Sequence, residues 1–269
     1  MKVSKYVTLL FFGALKCQTA FSNPSIYGSY HLGRNFSYDE SVAWTGENSQ
    51  SFSMEKLLSS YSDRRVFYFG EIHSDPTARE FLTRNLAIFK NHGFSTLVLE
   101  SLSSSLQDDV NKYLYSNGTL EPISQYLKFH WGWSPVQYLD LIKEAKRLGI
   151  RIVAADTTAS PSAFRDRHMA QKIVEAIEED VNKGKIAFLV GANHIASKFH
   201  LSEFQADILL YTHSVKVLRI EMIGEEFKLH LQKDLLEGLL SSEIKEGPIQ
   251  VEFPKSTFCD LLVFDRPLK

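Results

Sequence analysis

Four short apolar runs, each followed or preceded by a helix-length amphipathic segment, constrain this chain more than any other feature. They are "RVFYF" (65–69), "FSTLVLE" (94–100), "IRIVAAD" (150–156) and "KIAFLVGANH" (185–194), the last running into a turn. Runs this short and this rich in β-branched and aromatic residues read as strands, and near-continuous apolarity marks strands buried on both faces. The helices between them have legible ends. "DPTAREFLTRNLAIFKNHG" has Asp75 as cap, Pro76 at the first helical position and Gly93 just past the end, with apolar residues at 78, 81, 82, 86 and 89 on one face. "SPVQYLDLIKEAKRLG" (134–149) opens with Ser134 and Pro135 and closes with Gly149, and "AFRDRHMAQKIVEAIEEDVNKG" (163–184) reads as one long helix. Strands alternating with helices of this length require right-handed crossovers. The predicted fold is therefore α/β, a mostly parallel central sheet with helices on both faces.

The remaining segments attach to that frame. "SMEKLLSSYS" predicts a short helix capped by Ser53. Residues 101–133 break the rhythm and read as an inserted helical cap that carries the aromatic "FHWGWSP". In the last third, "SVKVLRIEMI", "IQVEF" and "CDLLVF" predict extra C-terminal edge strands, some antiparallel, and residues 23–50 read as an extended arm with short strands. No repeat, linker or low-complexity tract divides the chain, so residues 23–269 are expected to form one domain.

The first residues, "MKVSKYVTLLFFGALKCQTAFSNPS", pair a positive start (Lys2, Lys5) with an apolar stretch too short to span a bilayer, and Ala20-Phe21-Ser22 supplies a small-x-small cleavage pattern. This predicts a signal peptide over residues 1–22 and export to the periplasm or the medium, with membrane contact only through that signal. Lys16 in front of Cys17 argues against lipid anchoring. Cleavage would leave Cys259 as the one cysteine, within the apolar "FCDLLVF", so a disulfide framework and a thiolate zinc site are both excluded. A net charge of −2 and no Lys/Arg block argue against a nucleic-acid partner.

Chemistry is concentrated where the strands end. Gly70-Glu71-x-His73, Glu100, Asp156 and Gly191-x-x-His194 all follow apolar runs, and in an open parallel sheet ligands bind beyond the carboxyl ends of the strands. Each residue alone has a structural reading: Glu71 and Glu100 as charges near helix starts, Asp156 in an Asx-turn before two threonines, the histidines in polar loops. Together they predict a shared pocket. Carboxylates beside imidazoles suit acid–base catalysis with the acid fixing the tautomer, or a divalent metal ion held by His73, Glu100 and His194, or an imidazole on haem iron. Neither H-E-x-x-H nor G-x-S-x-G occurs, which argues against the zincin and α/β-hydrolase mechanisms.

"FGEIHSD", "LVLES", "YLDLIKEAKRLGIRIVAADTT", "RDRHM" and "LVGANHIA", in this order across residues 60–200, resemble the ChaN-like haem-binding uptake proteins. That family sits in a wider group with the Tiki/TraB metalloprotease-like and erythromycin-esterase-like proteins. The resemblance implies Glu71, His73, Glu100 and His194 as site residues, with Arg167 and His168 as further members. Trp131 in "HWGW" and Tyr138 would offer flat aromatic surface to a planar ligand, although cap core is the commoner place for any one such ring. Three functions follow as expectations: an exported haem binder in iron acquisition, a hydrolase (esterase or metal-dependent peptidase) built on the Glu/His site, and a secreted effector that uses the fold to bind a partner. The ligand would be haem or a small-molecule substrate, the cofactor haem or a divalent metal ion.

Overall fold

The computed structural model describes residues 38–157, 162–195, 216–224, 248–252 and 259–265. The predicted signal peptide lies outside them, as do residues 23–37 of the predicted arm. Along the chain come α1 (Tyr38–Asn48), β1 (Ser49–Ser51), α2 (Met54–Ser60), β2 (Val66–Glu71), α3 (Thr77–Asn91) and β3 (Phe94–Ser103). A 3₁₀ turn (Ser104–Leu106), α4 (Gln107–Tyr115), α5 (Glu121–Tyr126), a π-helical turn (Leu127–Trp131), α6 (Val136–Leu148) and β4 (Arg151–Asp156) follow. Then come α7 (Ser162–Glu179), β5 (Lys185–Gly191), α8 (Ala192–Ile195), β6 (Val217–Gly224), β7 (Ile249–Glu252) and β8 (Leu261–Asp265).

The strands form one 8-stranded sheet in the order β1-β7-β8-β6-β2-β5-β3-β4. Strands β8, β6, β2, β5, β3 and β4 run parallel, while β7 pairs antiparallel with β8 and β1 antiparallel with β7. The chain travels outward from β2 to β3 to β4 and then returns to insert β5 between β2 and β3. Right-handed crossovers therefore put α3 and α6 on one face and α7, which belongs to the return, on the other. Residue parity agrees. Phe67, Phe69, Leu97 and Leu99 pack in one buried cluster with Leu82, Phe89 and Leu141. Val66, Val98, Val153, Phe188 and Val190 pack in a second one with Met169, Ile173 and Ile177. On the first face Phe67, Phe89 and Phe94 meet edge to face at 4.7–5.0 Å.

Local chemistry sets the helix ends. Ser53 Oγ accepts the Lys56 N–H at 3.3 Å and starts α2. Asp75 Oδ1 accepts both the N–H (2.9 Å) and the hydroxyl (2.6 Å) of Thr77, so it caps α3, although Pro76 sits just before the first helical residue rather than at it. Gly149, at φ 65°, ends α6 in the left-handed conformation that a side chain resists, and the Ile150 N–H turns back to the Ala145 carbonyl at 2.9 Å.

Several boundaries differ from the sequence expectation. Residues 38–48 of the predicted arm form α1, a helix whose polar sequence carries no apolar stripe to announce it. Strand β3 does not stop at Glu100 but continues to Ser103. Its register to β4 shifts between Leu99 and Ser103, and the buried side chains of the first cluster switch parity from Leu97 and Leu99 to Leu102. A bulge of this kind is invisible to simple alternation, and the helical cap accordingly begins at 104 rather than 101. Helix α7 stops at Glu179, five residues short of the expected end. Asp180 accepts the N–H groups of Asn182 (2.9 Å) and Gly184 (3.0 Å), and Lys183 takes φ 55°. Among the C-terminal strands only β7 is antiparallel, and β6 lies against β2 inside the sheet. Cys259 is buried. Among the described residues no helix is long and apolar enough to cross a membrane.

Candidate active site

Toward the carboxyl ends of β2, β3, β4 and β5 the sequence-predicted residues Glu71, His73, Glu100, Asp156 and His194 come together. Glu71 ends β2 with the parity of Phe67 and Phe69, so its carboxylate enters the face covered by α3 and α6. There Oε2 accepts from Arg79 Nη1 at 2.6 Å, and Oε1 accepts from the Tyr138 hydroxyl and from His73 Nδ1 at 3.0 Å. Arg79 Nη1 also donates to the Tyr138 hydroxyl (3.0 Å) and to the His73 carbonyl (3.2 Å), and its guanidinium lies 4.5 Å from the centre of the Tyr138 ring. A carboxylate only accepts, so Nδ1 of His73 carries a proton and Nε2 is the atom left to do chemistry.

Glu100 has the parity of Val98 and enters the opposite face. Its Oε1 lies 3.2 Å from His194 Nε2 and 3.0 Å from Arg165 Nη2, and its Oε2 accepts the Gly191 N–H at 2.6 Å. Arg165 reaches across to Asp156 through Nε (2.8 Å) and Nη2 (2.9 Å). His194 Nδ1 bonds Asp166 Oδ1. The two groups of residues meet at His73, whose Nε2 is 4.0 Å from Glu100 Oε2. A Cβ at 191 would sit 2.8 Å from His73 Nε2, so any side chain there displaces the imidazole from its place. Residues 71–73 and 191–194 line a cavity of about 70 Å³ at this junction, room for about two waters' share of liquid volume.

The environments separate the titrating groups. Burial would lower His194, but the Glu100 and Asp166 carboxylates on its two nitrogens outweigh it and raise the imidazole to about 10, so it is an imidazolium at neutral pH. Burial would raise Glu100, yet His194, His73 and the Gly191 N–H hold it well below the ordinary carboxylate range. His73 also resists burial, through Glu71 and the charge of Glu100, and lies above its ordinary value. Tyr138 is pushed far above the usual phenol range by burial and by the Glu71 charge. It is therefore a neutral hydroxyl that donates to Glu71.

The donor set argues against the expected metal centre of His73, Glu100 and His194. Both Glu100 oxygens are committed to His194, Arg165 and Gly191, and His194 holds a proton on each nitrogen between two carboxylates. Among the described residues no group of three or more His, Cys, Asp or Glu side chains is arranged to hold a metal ion. Haem fares no better inside the site. The cavity is several-fold smaller than the ~300–1,000 Å³ typical of a drug-sized ligand, and Tyr138 is a neutral, buried donor rather than a tyrosinate. Aromatic surface does border the site: the Trp131 ring stands edge-on to His73 at 5.0 Å, and Trp133 lies tilted at 6.0 Å.

Two expected members stand apart. Arg167 is exposed, and His168 Nε2 bonds Ser104 Oγ at 3.2 Å, its imidazole held below its ordinary value by burial and Lys172. Their neighbours Arg165 and Asp166 take the places instead. The signal was in the helical spacing: the described buried residues of α7 are 166, 169, 170, 173, 174, 176 and 177, so Asp166 falls on the apolar stripe and Arg167 off it. Arg79 was legible in the same way, as a charge beside Ala78 and Leu82 on the buried stripe of α3.

Residues 57–163 match the family described as haem-binding uptake, Tiki superfamily, ChaN, a stretch that includes Glu71, His73, Glu100 and Asp156 and stops short of Arg165 and His194. No curated protein matches the chain. Among solved structures, the type III effector HopBA1 is similar at 15% identity and TM-score 0.55, over 82% of this chain and 98% of that one. A Bacillus cereus protein is similar at 10% identity and TM-score 0.55, over 86% and 98%. ChaN of Campylobacter jejuni, in a structure of cofacial heme binding, follows at 15% identity and TM-score 0.45, over 80% and 92%. At these identities the first two likenesses concern the α/β fold alone.

Proposed function

We propose, for a chain whose residues 57–163 match the family described as haem-binding uptake, Tiki superfamily, ChaN, that the site is an acid–base hydrolytic centre with His73 as its base. The observation that carries this reading is the 3.0 Å bond between His73 Nδ1 and Glu71 Oε1, which leaves Nε2 facing a small cavity opposite Glu100. Glu71 fixes the tautomer, with Arg79 and Tyr138 fixing Glu71 in turn. The separation of 4.0 Å between Nε2 and Glu100 is one that a single water or a substrate hydroxyl spans.

In the proposed reaction a water oxygen bonds to the carbonyl carbon of an ester or amide while its proton passes to His73 Nε2. The tetrahedral adduct then expels the alcohol or amine, which leaves with that proton, and the C–O or C–N bond breaks. His194 and Arg165 keep Glu100 charged and in place, and no metal or redox partner enters the balance. Because His73 lies above its ordinary value, the neutral base accumulates only above pH 6.5, and turnover is expected to rise with pH through that region. Export through the N-terminal signal is part of the same proposal, with hydrolysis outside the cytoplasm.

The test is hydrolysis of 4-nitrophenyl acetate by wild type and His73→Ala. Loss of a general base is expected to cost about 10²–10⁴-fold while the chain still unfolds cooperatively, because His73 belongs to neither buried apolar cluster. Undiminished turnover in His73→Ala, or a flat pH profile, would overturn the assignment. Haem binding is the second reading, favoured by the family match and by Trp131 and Trp133 beside His73. It predicts a Soret band on titration that His73→Ala abolishes, with haem lying across the mouth of the site rather than inside it.

A further inference from the structure

Three serines in a row, Ser103, Ser104 and Ser105, carry the chain from β3 into the cap, and they are not equivalent. The Ser103 hydroxyl accepts the Ser105 N–H at 3.4 Å and pairs with the Ser105 hydroxyl at 2.9 Å, so the outer two are spent on each other. Ser104 opens the 3₁₀ turn, and its Oγ lies 3.2 Å from His168 Nε2 on α7. The turn itself is held. Gln107, the residue after it, donates from Nε2 to the Ile152 carbonyl (3.0 Å) and accepts the Ala154 N–H on Oε1 (2.8 Å), as one residue of a neighbouring strand would. A fixed, half-buried hydroxyl on a strand-to-helix turn is how a nucleophile is presented to ligands that arrive at the carboxyl end of a sheet. His168 supplies the base. Burial and Lys172 outweigh Glu175 on its own helix and Asp156 at the end of β4, and they hold the imidazole below its ordinary value of 6.5. Unlike His73 and His194, which carboxylates raise, it is neutral at pH 7 and, with its ring proton on Nδ1, accepts on Nε2.

We infer that Ser104 is a second nucleophile of this protein, with His168 as its base, and that it takes the acyl group of a small activated ester. In this step Ser104 Oγ bonds to the carbonyl carbon while its proton passes to His168 Nε2. The tetrahedral adduct expels the alcohol, which leaves with that proton as the C–O bond breaks, and the acyl group stays on Ser104. Nothing in the step uses Glu71, His73, Glu100 or His194, so the inference stands or falls apart from the hydrolytic reading. Among the described residues no carboxylate bonds His168 Nδ1. In a serine–histidine pair that third group holds the imidazolium and is worth about 10⁴-fold. Acyl transfer to Ser104 is therefore slow and is read as an adduct, and steady-state ester hydrolysis remains that of the His73 site.

Diisopropyl fluorophosphate is the probe. Its phosphorus stands for the carbonyl carbon and its fluoride for the alcohol, and it marks activated hydroxyls rather than amines. Wild type, Ser104→Ala, His168→Gln and His73→Ala are treated with it, and peptide mass spectrometry locates and times the adduct. A single adduct is expected in wild type, on Ser104, and none in Ser104→Ala. His168→Gln keeps a hydrogen-bonding group beside Ser104 and removes the base, so labelling is expected to slow about 10²-fold with the circular dichroism spectrum unchanged. His73→Ala is expected to label at the wild-type rate, which separates this site from the first. The wild-type rate is expected to be level above pH 6.5, because His168 is already neutral there. An unassisted serine would instead gain about tenfold per pH unit. No adduct, an adduct on another residue, or equal rates in wild type and His168→Gln overturns the inference. A rate that falls in His73→Ala overturns it as well, since the marked serine would then belong to the hydrolytic centre.

Discussion

Glu71 and Glu100 are the same residue type on two strands of one sheet separated by β5, yet they leave it on opposite faces and are met in different ways. On the α3/α6 face Glu71 is clamped by Arg79 and Tyr138, and the Glu71 and Arg79 side chains are each 2% exposed. Arg79 and Tyr138, the two groups that clamp Glu71, are themselves fully buried. On the α7/α8 face Glu100 is equally buried, but its arginine is 29% exposed and shared with Asp156, and its imidazole is shared with Asp166. That side is a lattice of alternating charges that opens toward solvent. The contrast shows how strand parity turns one side-chain type into two instruments: an orienting group that fixes a tautomer, and an electrostatic anchor.

The sharpest way to break this comparison is to remove each arginine. Arg79→Met leaves Glu71 buried beside only neutral donors and His73, and is expected to cost about 3–5 kcal/mol, the usual penalty for breaking a buried pair from one side. Arg165→Met is expected to cost less than half as much, since solvent reaches that guanidinium and His194 still holds Glu100. Urea unfolding of the two variants measures both. Equal losses would mean that the two faces are not distinct in the way described.

A second test sharpens the comparison through pH. His194 is raised from 6.5 to about 10 in the folded chain, so the folded state binds its proton more tightly than the unfolded one. The stability it contributes is fully present below pH 6.5 and is lost as pH rises from there toward 10. Glu100 has the opposite sign. Its folded value is depressed, so its contribution is present above the ordinary carboxylate range and is lost as pH falls through and below it. The anchor face thus predicts a plateau bounded on both sides. In His194→Gln the decline in unfolding free energy between pH 6.5 and 9.5 should flatten, by at most ~1.4 kcal/mol per pH unit for a single proton. Retention of the wild-type slope in that variant would place the alkaline transition elsewhere.

The same contrast explains what could be read from the sequence. Apolar runs ended by Glu71, Asp156 and Gly191 gave strand positions, because a fully buried strand must stay apolar to its end and the change of composition marks the stop. Glu100 was found as a residue but misplaced as an end, because the bulge after Leu99 lets β3 continue through a polar side chain to Ser103. Tyr138 was found as an aromatic surface for a ligand, whereas its hydroxyl is spent on Glu71. The partners of the carboxylates were harder. Arg79 and Asp166 sit on helix stripes that read as core, and only the presence of a charge on such a stripe distinguishes them from a solvent-facing residue. Their pairing spans 8 residues for Arg79 with Glu71 and 28 for Asp166 with His194, and nothing in local pattern specifies a contact made across a crossover.

The smallest expected effect lies one step along the same helix. Successive residues of α7 are turned by about 100°, so Arg167 and His168 point away from the stripe that carries Asp166 to His194. Arg167 is exposed, and the His168 imidazole makes one hydrogen bond, to Ser104, in a half-open setting. Arg167→Ala and His168→Ala are each expected to change stability by no more than about 0.5 kcal/mol, the range of ordinary surface substitutions, and to leave hydrolysis and its pH profile as in wild type. Asp166→Ala, on the stripe, removes one of the two carboxylates that keep His194 charged and should move the alkaline limb of the stability curve to lower pH. The comparison within these three neighbours isolates helix phase from sequence proximity. If Arg167→Ala slows turnover tenfold while Asp166→Ala leaves the alkaline limb in place, the face of α7 that meets Glu100 has been misassigned, and the anchor half of the site must be rebuilt around Arg167.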